Sequence, residues 1–341
     1  NILTVRQTES FSSNADRVYN GNILSWIKFA NSLKLRLAMR LAYVSPALAQ
    51  EMAEEATGHE TGVMESNADN AKIAGFGKDG NPLHRIMYLW NDGDSRVSAD
   101  ITSYMNGFRD PRMEKYFTWS TFTVADGTTL NGYIGLRSGI MIPAAQEAQK
   151  YSNYNVTPST QMLWMNAAEV AFLRAEGALR GWNMGGGSAA DFYAKGVELS
   201  FDEWGAGGAD NYLTDNTSTP ASYIDPMGKN TYAGNISSIT IAWNENAGFE
   251  ENLERIITQK WIAIFPLGLE AWAEYRRTGY PNLMPVAVNN SGGMVNTARG
   301  ARRLAYPGEE ITTNEANVRY AIENYLKGAD TMATRLWWDA K

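Results

Sequence analysis

The chain has 341 residues, 44% of them hydrophobic, which is enough to bury a sizeable core. Its net charge of −7 comes from 37 acidic and 30 basic residues that are scattered along the chain, so the clustered Lys and Arg of a nucleic-acid-binding surface are absent. It has no cysteine and only two histidines, which excludes disulfides, thiol nucleophiles and Cys-ligated zinc and disfavours histidine-dependent catalysis.

The first predicted elements are two helices. Apolar residues recur at steps of three and four from Ile23 to Val44, the helical period, which predicts a long amphipathic helix. This helix should stop before Pro46, because a residue preceding proline is pushed out of the helical region. A second helix is predicted over residues 46–57. The other faces of the first helix carry four basic residues that should face solvent or pair with nearby acids: Lys28, Lys34, Arg36 and Arg40.

The next hundred residues predict mostly loop. Residues 58–92 are rich in Gly, Asn and Asp, and turn signals such as Asn81-Pro82 indicate loops with at most short strands. A helix is predicted over 94–107. Residues 117–160 mix Thr, Gly, Tyr and short apolar runs, which predicts an irregular excursion with a hairpin across Asp126-Gly127.

The middle of the chain predicts a helical hairpin. Between Gln161 and Trp182, small residues at four-three spacing form a face that lets a second helix approach closely, with Ala171 and Ala175 at the contact. After three glycines, Ser188 and the acid three residues later predict the capping box of the next helix, which should run to about Trp204. The hairpin spans the roughly 34 residues or more of a tetratricopeptide repeat.

The last third predicts a polar excursion, two further helices and a final short one. The excursion covers residues 205–247. Helix returns from Glu250 to Pro266, and a shorter helix from Gly268 ends at Gly279, a glycine stop. Its Arg276 and Arg277 suit a helix carboxyl end, so this segment is predicted to be structural. The final helix is predicted over residues 314–325.

Motifs that would indicate a cofactor are weak. Gly185, Gly187 and Ala190 match the G-x-G-x-x-A form of a dinucleotide fingerprint, but a helix precedes them where the fingerprint requires a strand. Asn91, Asp92 and Asp94 place three oxygen ligands in one short loop that could hold calcium, although a plain polar turn is favoured. No other cofactor is predicted. Carboxylate pairs for glycoside hydrolysis remain open, because such pairs are assembled across loops.

Aromatic residues provide the functional signal. The chain has 11 Trp and 17 Tyr, many of them in polar loops. An exposed indole or phenol ring has a flat apolar face and a polar tip, which suits the C–H faces and hydroxyl rims of a sugar. Two or three loop rings are predicted to form a binding platform, although each ring could instead anchor its loop. The candidate rings are Trp90, Trp119, Tyr223, Tyr232 and Trp243, and the candidate polar rim is Asn91, Asp92 and Arg109.

Several segments, in order, resemble the SusD/RagB-like family of nutrient-binding outer-membrane lipoproteins. The most specific is ITQKWIAIFPLGLEAWAEYRRTGYPNL at 257–283. The others are SWIKFANSLKLRLAMR at 25–40, SNADNA at 66–71, DPR at 110–112, AAEVAFLRAEGALRGW at 167–182, SAADFYAKGVELSF after it and ARRLAYPGEE at 301–310. Together these segments span nearly the whole chain.

The resemblance implies a mostly α fold over residues 1–341, with tetratricopeptide-like helical hairpins in an α-α superhelix decorated with long irregular loops. Members capture oligosaccharides at the cell surface and sit over a TonB-dependent, SusC-like transporter, held to the outer membrane by a lipidated cysteine. Because this chain lacks cysteine, the anchor and the first part of the family fold are expected to be missing from it.

Two functions are left open. The first is non-catalytic binding of oligosaccharides or related nutrients for delivery to the transporter. The second is glycoside hydrolysis on a helical scaffold, which only the abundant acids and aromatics support.

Overall fold

The computed structural model describes residues 10, 12–124 and 126–341. This part of the chain contains 13 α-helices and four short strands. The helices are α1 (Ile23–Leu41), α2 (Pro46–Thr57), α3 (Pro82–Tyr88), α4 (Ala99–Gly107), α5 (Met113–Tyr116), α6 (Ala145–Ala148), α7 (Ala167–Leu179), α8 (Ala189–Trp204), α9 (Ala209–Leu213), α10 (Phe249–Ala263), α11 (Gly268–Thr278), α12 (Gly308–Thr313) and α13 (Glu315–Ala321). The strands are β1 (Ala71–Ile73), β2 (Ser120–Thr123), β3 (Thr129–Gly132) and β4 (Met162–Met165).

Helices α7 and α8 form the hairpin at the centre of the body. Ser188 accepts from the backbone N–H of Asp191 while the Asp191 carboxylate accepts from Ser188, which is the predicted capping box. A Cβ on Gly196 would lie 2.7 Å from the Phe172 ring, so the close approach of the two helices requires glycine there. Ala171 and Ala175 are buried at this level of α7, as expected. The mostly helical, tetratricopeptide-like fold is confirmed.

Helix α7 is shorter than predicted. The Asn166 side chain caps it by accepting from Glu169 N at 2.9 Å, so the helix begins after Asn166. The residues before the cap form β4, which pairs antiparallel with β1. Trp164 therefore lies on a strand, and the prediction of helix from Gln161 onward was wrong for residues 161–166. Local spacing alone could not distinguish a helix from a strand here, because the strand depends on a partner about ninety residues earlier.

Helices α1, α2, α10 and α11 pack around this hairpin. Asn22 caps α1, which ends at Leu41 instead of Val44, and α2 matches its predicted bounds. The four basic residues of α1 all pair with acids: Lys28 with Asp69, Lys34 with Glu55, Arg36 with Glu169, and Arg40 with Glu270 and Glu274. The prediction that they pair with nearby acids is confirmed.

Five buried or nearly buried charges join these helices into what we call the ion network: Arg40, Glu176, Lys260, Glu274 and Arg277. Both Nη atoms of Arg277 donate to the Glu176 carboxylate, at 2.7 and 2.6 Å, and Nη2 also donates to Glu274 at 2.6 Å. Lys260 Nζ lies 3.1 Å from Glu274 Oε2, an ion pair without hydrogen-bond geometry. The network thus links α1, α7, α10 and α11.

The loops contain elements that the sequence analysis missed or misplaced. Residues 58–92 were predicted to lack helix, yet they contain α3. Helix α4 begins at Ala99 rather than residue 94, because Ser98 caps it. The final helix is confined to α13, followed by a π turn over Ile322–Leu326. The predicted hairpin is confirmed by the antiparallel pairing of β2 with β3.

Within the described residues, no helix is both long and apolar enough to cross a membrane.

Candidate ligand-binding groove

Helix α3 is fixed to the body by polar contacts at both ends. At its start, Asn81 accepts from Leu83 N and donates to the Thr160 carbonyl at 2.8 Å. At its end, the Tyr88 hydroxyl donates to the Tyr154 carbonyl at 2.7 Å, and burial raises the pKa of this phenol so that it stays a neutral donor. Leu83, Met87 and Tyr88 also pack against the core, so the inner face of the helix is fixed while its outer face meets solvent.

The outer face of α3 forms one wall of a cavity of about 500 Å³, which we call the Trp90 groove. Its exposed apolar residues are unusual for a soluble surface: Trp90 is 73% exposed, and Leu89 is 65% exposed. The groove is lined by Phe76, Asp79, Gly80, Pro82, Arg85, Ile86, Leu89 and Trp90. Its volume is within the range of ordinary ligand sites, and it combines apolar walls with few charges.

The charged groups of the groove lie at its rim. Arg85 Nη1 is 3.8 Å from Asp79 Oδ1, and both side chains are exposed, so this pair contributes little to stability. Both side chains thus remain available to hydroxyl groups. Asp79 is the one carboxylate among the lining residues.

A strained turn follows α3 and presents Trp90. Asn91 and Asp92 have φ of 47° and 58°, in the left-handed region, and Gly93 follows at 64°. A Cβ on Gly93 would lie 2.6 Å from the Tyr88 carbonyl oxygen, so this turn requires glycine. Asn91 and Asp92 follow Trp90 on this turn, and their role as a polar rim stays a prediction.

The same turn was the candidate calcium site. Asn91 Nδ2 donates to Asp94 Oδ2, so the amide nitrogen of Asn91 is occupied by the carboxylate that would bind the ion. Among residues 10, 12–124 and 126–341, no three His, Cys, Asp or Glu side chains form a group that could hold a metal. Calcium at Asp92 and Asp94 stays a prediction.

Trp119 is the second exposed candidate ring, with 60% of its surface exposed. It stands edge-on to Tyr133, with ring centroids 5.1 Å apart. Its neighbour Thr118 exchanges two hydrogen bonds with Asn153, whose Nδ2 donates to the Met87 carbonyl of α3 at 2.9 Å. Asn153 therefore connects the segment before β2 with α3, the helix that precedes Trp90.

Arg109 joins this region from the end of α4. It is exposed and has φ of 51°. Three residues earlier, Asn106 donates to the Tyr133 carbonyl at 2.8 Å, so the end of α4 lies beside the residue whose ring contacts Trp119. Of the candidate residues, Trp90 alone lines the Trp90 groove, and Trp119 and Arg109 are exposed outside its lining.

The other three candidate rings pack against the body. Tyr223 is buried, and its hydroxyl donates to the Gly135 carbonyl at 2.9 Å. Tyr232 forms a backbone bridge with Tyr223 and lies under the Arg137 guanidinium, 5.3 Å from the ring centroid. The Trp243 ring packs against Tyr193, with ring centroids 5.5 Å apart, and its indole nitrogen is buried. In this structure these rings anchor their loops, which is the alternative that the sequence left open.

Sequence reasoning missed most of the wall of the Trp90 groove. Phe76, Ile86 and Leu89 were not candidates, because residues 58–92 were interpreted as loop. The signal was present in Asn81-Pro82, since Asn is a favoured helix cap and proline is favoured at the first helical position. An apolar run on a short helix that begins there would have indicated an exposed apolar face.

Comparisons with known proteins agree on the family. The model of the SusD-like family, described as Susd and RagB outer membrane lipoprotein, matches residues 1–339. A comparison with the curated proteins gives no match.

Among solved structures, the chain is similar to a SusD homologue from Bacteroides uniformis, with 52% identity, a TM-score of 0.92, and coverage of 100% of this chain and 70% of that one. A SusD homologue from Bacteroides ovatus is 47% identical, with a TM-score of 0.90 and coverage of 100% and 71%. A chitin-binding SusD homologue from Flavobacterium johnsoniae is 43% identical, with a TM-score of 0.91 and coverage of 100% and 69%. The chain thus spans about 70% of the length of these structures.

Proposed function

Because the chain belongs to the SusD-like family of outer-membrane lipoproteins, we propose that it binds oligosaccharides without hydrolysing them and that the Trp90 groove is where they bind. The observation that carries this proposal is Trp90 itself, an indole 73% exposed on an apolar groove that a fixed helix presents to solvent. A sugar ring stacked on it would bury apolar surface that is otherwise unfavourably exposed.

The polar rim would supply orientation. Asn91 and Asp92 follow Trp90 directly, and Arg85 and Asp79 face each other across the groove at its margin. Side chains of this kind donate to and accept from hydroxyl groups, while the apolar wall contributes non-directional contact. Trp119 would extend the platform for a longer oligosaccharide.

The lining favours binding over hydrolysis. Glycoside hydrolysis uses two carboxyl groups about 5 to 9.5 Å apart on either side of the bond that breaks. Asp79 is the single acid among the residues that line the groove. A binding role therefore suits these residues better than the alternative of a hydrolase.

The proposal is tested by titrating neutral oligosaccharides into the protein, beginning with chito-oligosaccharides because a chitin-binding SusD homologue is 43% identical to this chain. Trp90→Ala should weaken binding by more than about 1 kcal/mol, the level that marks important interface side chains, with little change in melting temperature. Trp337 is 69% exposed and does not line the groove, so Trp337→Ala is the matched control. Equal losses in both variants, or none in either, would place the site elsewhere.

We further propose delivery to a TonB-dependent, SusC-like transporter and anchoring at the cell surface through a lipid on the full-length protein. Family membership is the support for both. Co-purification of the full-length protein with a co-expressed SusC-like transporter is the test, and a protein that purifies alone from mildly solubilised membranes would contradict the proposed partnership.

A further inference from the structure

A second cavity lies on another part of the molecule, at the carboxyl end of α11. It has a volume of about 450 Å³ and is bounded by the last turn of α11, the chain after it and the loop around residue 299. Four of its lining residues are basic, Arg276, Arg299, Arg302 and Lys341, and none of its lining residues is acidic. We call this cavity the basic pocket. It is notable on a chain whose net charge is −7.

Two of the four cations have carboxylate partners outside the pocket. Arg302 donates through Nε to Asp339 at 2.7 Å, and Lys341 Nζ pairs with Glu250. These two pairs are close to neutral, so they leave little charge for a ligand.

The other two cations are not paired in this way. Within the described part of the chain, neither Arg276 nor Arg299 has a carboxylate within 4 Å. Arg276 donates only to backbone carbonyls, from Nε to Trp272 at 3.3 Å and from Nη1 to Arg302 at 2.8 Å. Its Nη2 has no acceptor among the described residues. Arg299 is exposed, and its guanidinium donates to no described residue. Neither guanidinium therefore has a carboxylate ion-pair partner of its own within the described residues.

Burial makes one of these charges costly. Burial lowers the pKa of Arg276 to about 10; the like charges of Arg40 and Arg302 also lower this pKa, while Asp339 and Glu270 raise it. The guanidinium is still protonated at neutral pH, so it remains charged in a partly dry site. An anion placed beside it would relieve this cost.

The basic pocket adjoins a mostly apolar one, whose lining also includes Asp100. A cavity of about 310 Å³ shares Tyr275, Leu283, Ala298 and Arg299 with it and continues along α11 past Trp272 and Met284. Arg276 covers one face of Trp272, with the guanidinium carbon 3.8 Å from the ring centroid, which fixes the direction of the guanidinium. The guanidinium carbon also lies 4.8 Å from the centroid of the Trp338 ring, so Nη2 is the Arg276 nitrogen left for a ligand, beside the exposed Arg299.

We propose that the basic pocket is a second saccharide site, which takes the carboxylate of an acidic sugar such as a uronic acid. The planar guanidinium groups of Arg276 and Arg299 hold the carboxylate, since this geometry matches a carboxylate in a two-point contact. The ring of the acidic sugar rests on Tyr275 and Leu283, and the next sugar of the oligosaccharide lies in the apolar cavity. This site is separate from the Trp90 groove and does not depend on the function proposed there.

The test is calorimetric titration with trigalacturonate and with a hyaluronan tetrasaccharide, each compared with its methyl ester. The acids should bind, the esters should bind at least about tenfold more weakly, and the acid affinity should fall as salt rises and screens the charges. Arg299→Gln should weaken acid binding about tenfold or more. This variant should fold normally, because Arg299 is exposed and its side chain has no protein partner.

Arg319→Gln is the matched control, since it removes an exposed arginine that lines neither the basic pocket nor the Trp90 groove. It should leave acid binding unchanged. Binding that survives Arg299→Gln, binding of ester and acid alike, or no binding of either acid would overturn the proposal. Inorganic sulfate that binds as tightly as the acids would overturn the saccharide part by indicating a simple anion site. Loss of neutral oligosaccharide binding in Trp90→Ala, measured in the same series, reports on the Trp90 groove alone.

Discussion

The ion network and the Trp90 groove both depart from the usual rule that apolar side chains are buried and charged side chains are exposed. In the network, Arg277, Glu176 and Glu274 are charged and buried, and each hydrogen-bonds to an oppositely charged group. In the groove, Trp90 and Leu89 are apolar and exposed, with little to cover them. Buried charges are retained only when they are paired, whereas exposed apolar surface of this kind is typical of a binding site.

The difference separates scaffold from site. The network connects four helices through ion pairs, so the loss of one partner should weaken the contacts among all of them. The groove is formed by one short helix and the turns on either side of it, and the fixing contacts of the helix point inward, so its outward side chains can change with little effect on the body. Substitutions in the two regions should therefore differ sharply in their effect on stability.

Arg277→Ala should have the largest effect. It leaves Glu176 and Glu274 buried without their main cation, and removal of one partner from a buried pair costs about 3 to 5 kcal/mol. Urea denaturation measures the loss, and oligosaccharide affinity of the folded fraction should be unchanged. The control is Arg319→Ala, which breaks an exposed pair with Glu315 and should cost about 0.5 kcal/mol or less. A similar loss of stability in both variants would contradict the expected difference between the buried network and an exposed ion pair.

The dependence of stability on pH should be intermediate in size. Burial alone would raise the pKa of Glu274, but Arg277, Lys260 and Arg40 together hold that pKa well below its ordinary value. A carboxylate with a depressed folded-state pKa stabilises the protein fully above its unfolded value, about 4.3, and this stability is lost as the pH falls further. The free energy of unfolding should thus fall steeply below about pH 4.5.

Glu274→Gln provides the comparison for this pH dependence. The variant should be less stable than the wild type at pH 7, but its stability should decline less between pH 5 and 3, because one titrating group of the network is gone. Equal slopes for the two proteins would show that other carboxylates control the acid transition.

Ala175→Leu should have a smaller effect. Ala175 is fully buried on α7, next to Glu176, and an enlarged side chain there should overpack the helix contact at a cost of about 1 to 3 kcal/mol. The denaturant midpoint measures it. Leucine at Ala178, which is only partly buried on the same helix, should be tolerated better. An unchanged midpoint for Ala175→Leu would contradict the close helix contact.

Leu89→Ser should have the smallest effect on stability. The side chain is 65% exposed, so its removal should change the free energy of unfolding by no more than about 0.5 kcal/mol. Thermal melting checks this. If the Trp90 groove binds oligosaccharide, the same variant should still weaken binding, so a loss of stability without a loss of affinity would assign Leu89 to the scaffold.

Most of the scaffold was predictable from the sequence. Helical period and caps gave correct positions for α2, α8, α10 and α11, because those signals act within a few residues. The errors were at boundaries and in segments whose structure depends on distant partners. Strand β4 needs β1, and α3 needs the Thr160 and Tyr154 carbonyls that hold its two ends.

The site was less predictable for the same reason. Trp90 and Tyr223 both occur in polar loops and have similar local sequence signals, yet one ring is exposed and the other is buried. The outcome for Tyr223 depends on the Gly135 carbonyl, 88 residues earlier, which accepts from its hydroxyl. No local pattern reports such a contact.

The sequence by itself determined the helical class, the central hairpin and the family. Tertiary structure alone decided which loop rings face solvent and which way adjacent side chains point. Arg276 and Arg277 show the reason. They are neighbours on one helix, but successive residues are about 100° apart around a helix axis, so Arg277 enters the ion network while Arg276 faces the basic pocket. What each arginine meets there depends on α7 and on the loop at residue 299, which only the folded chain brings together.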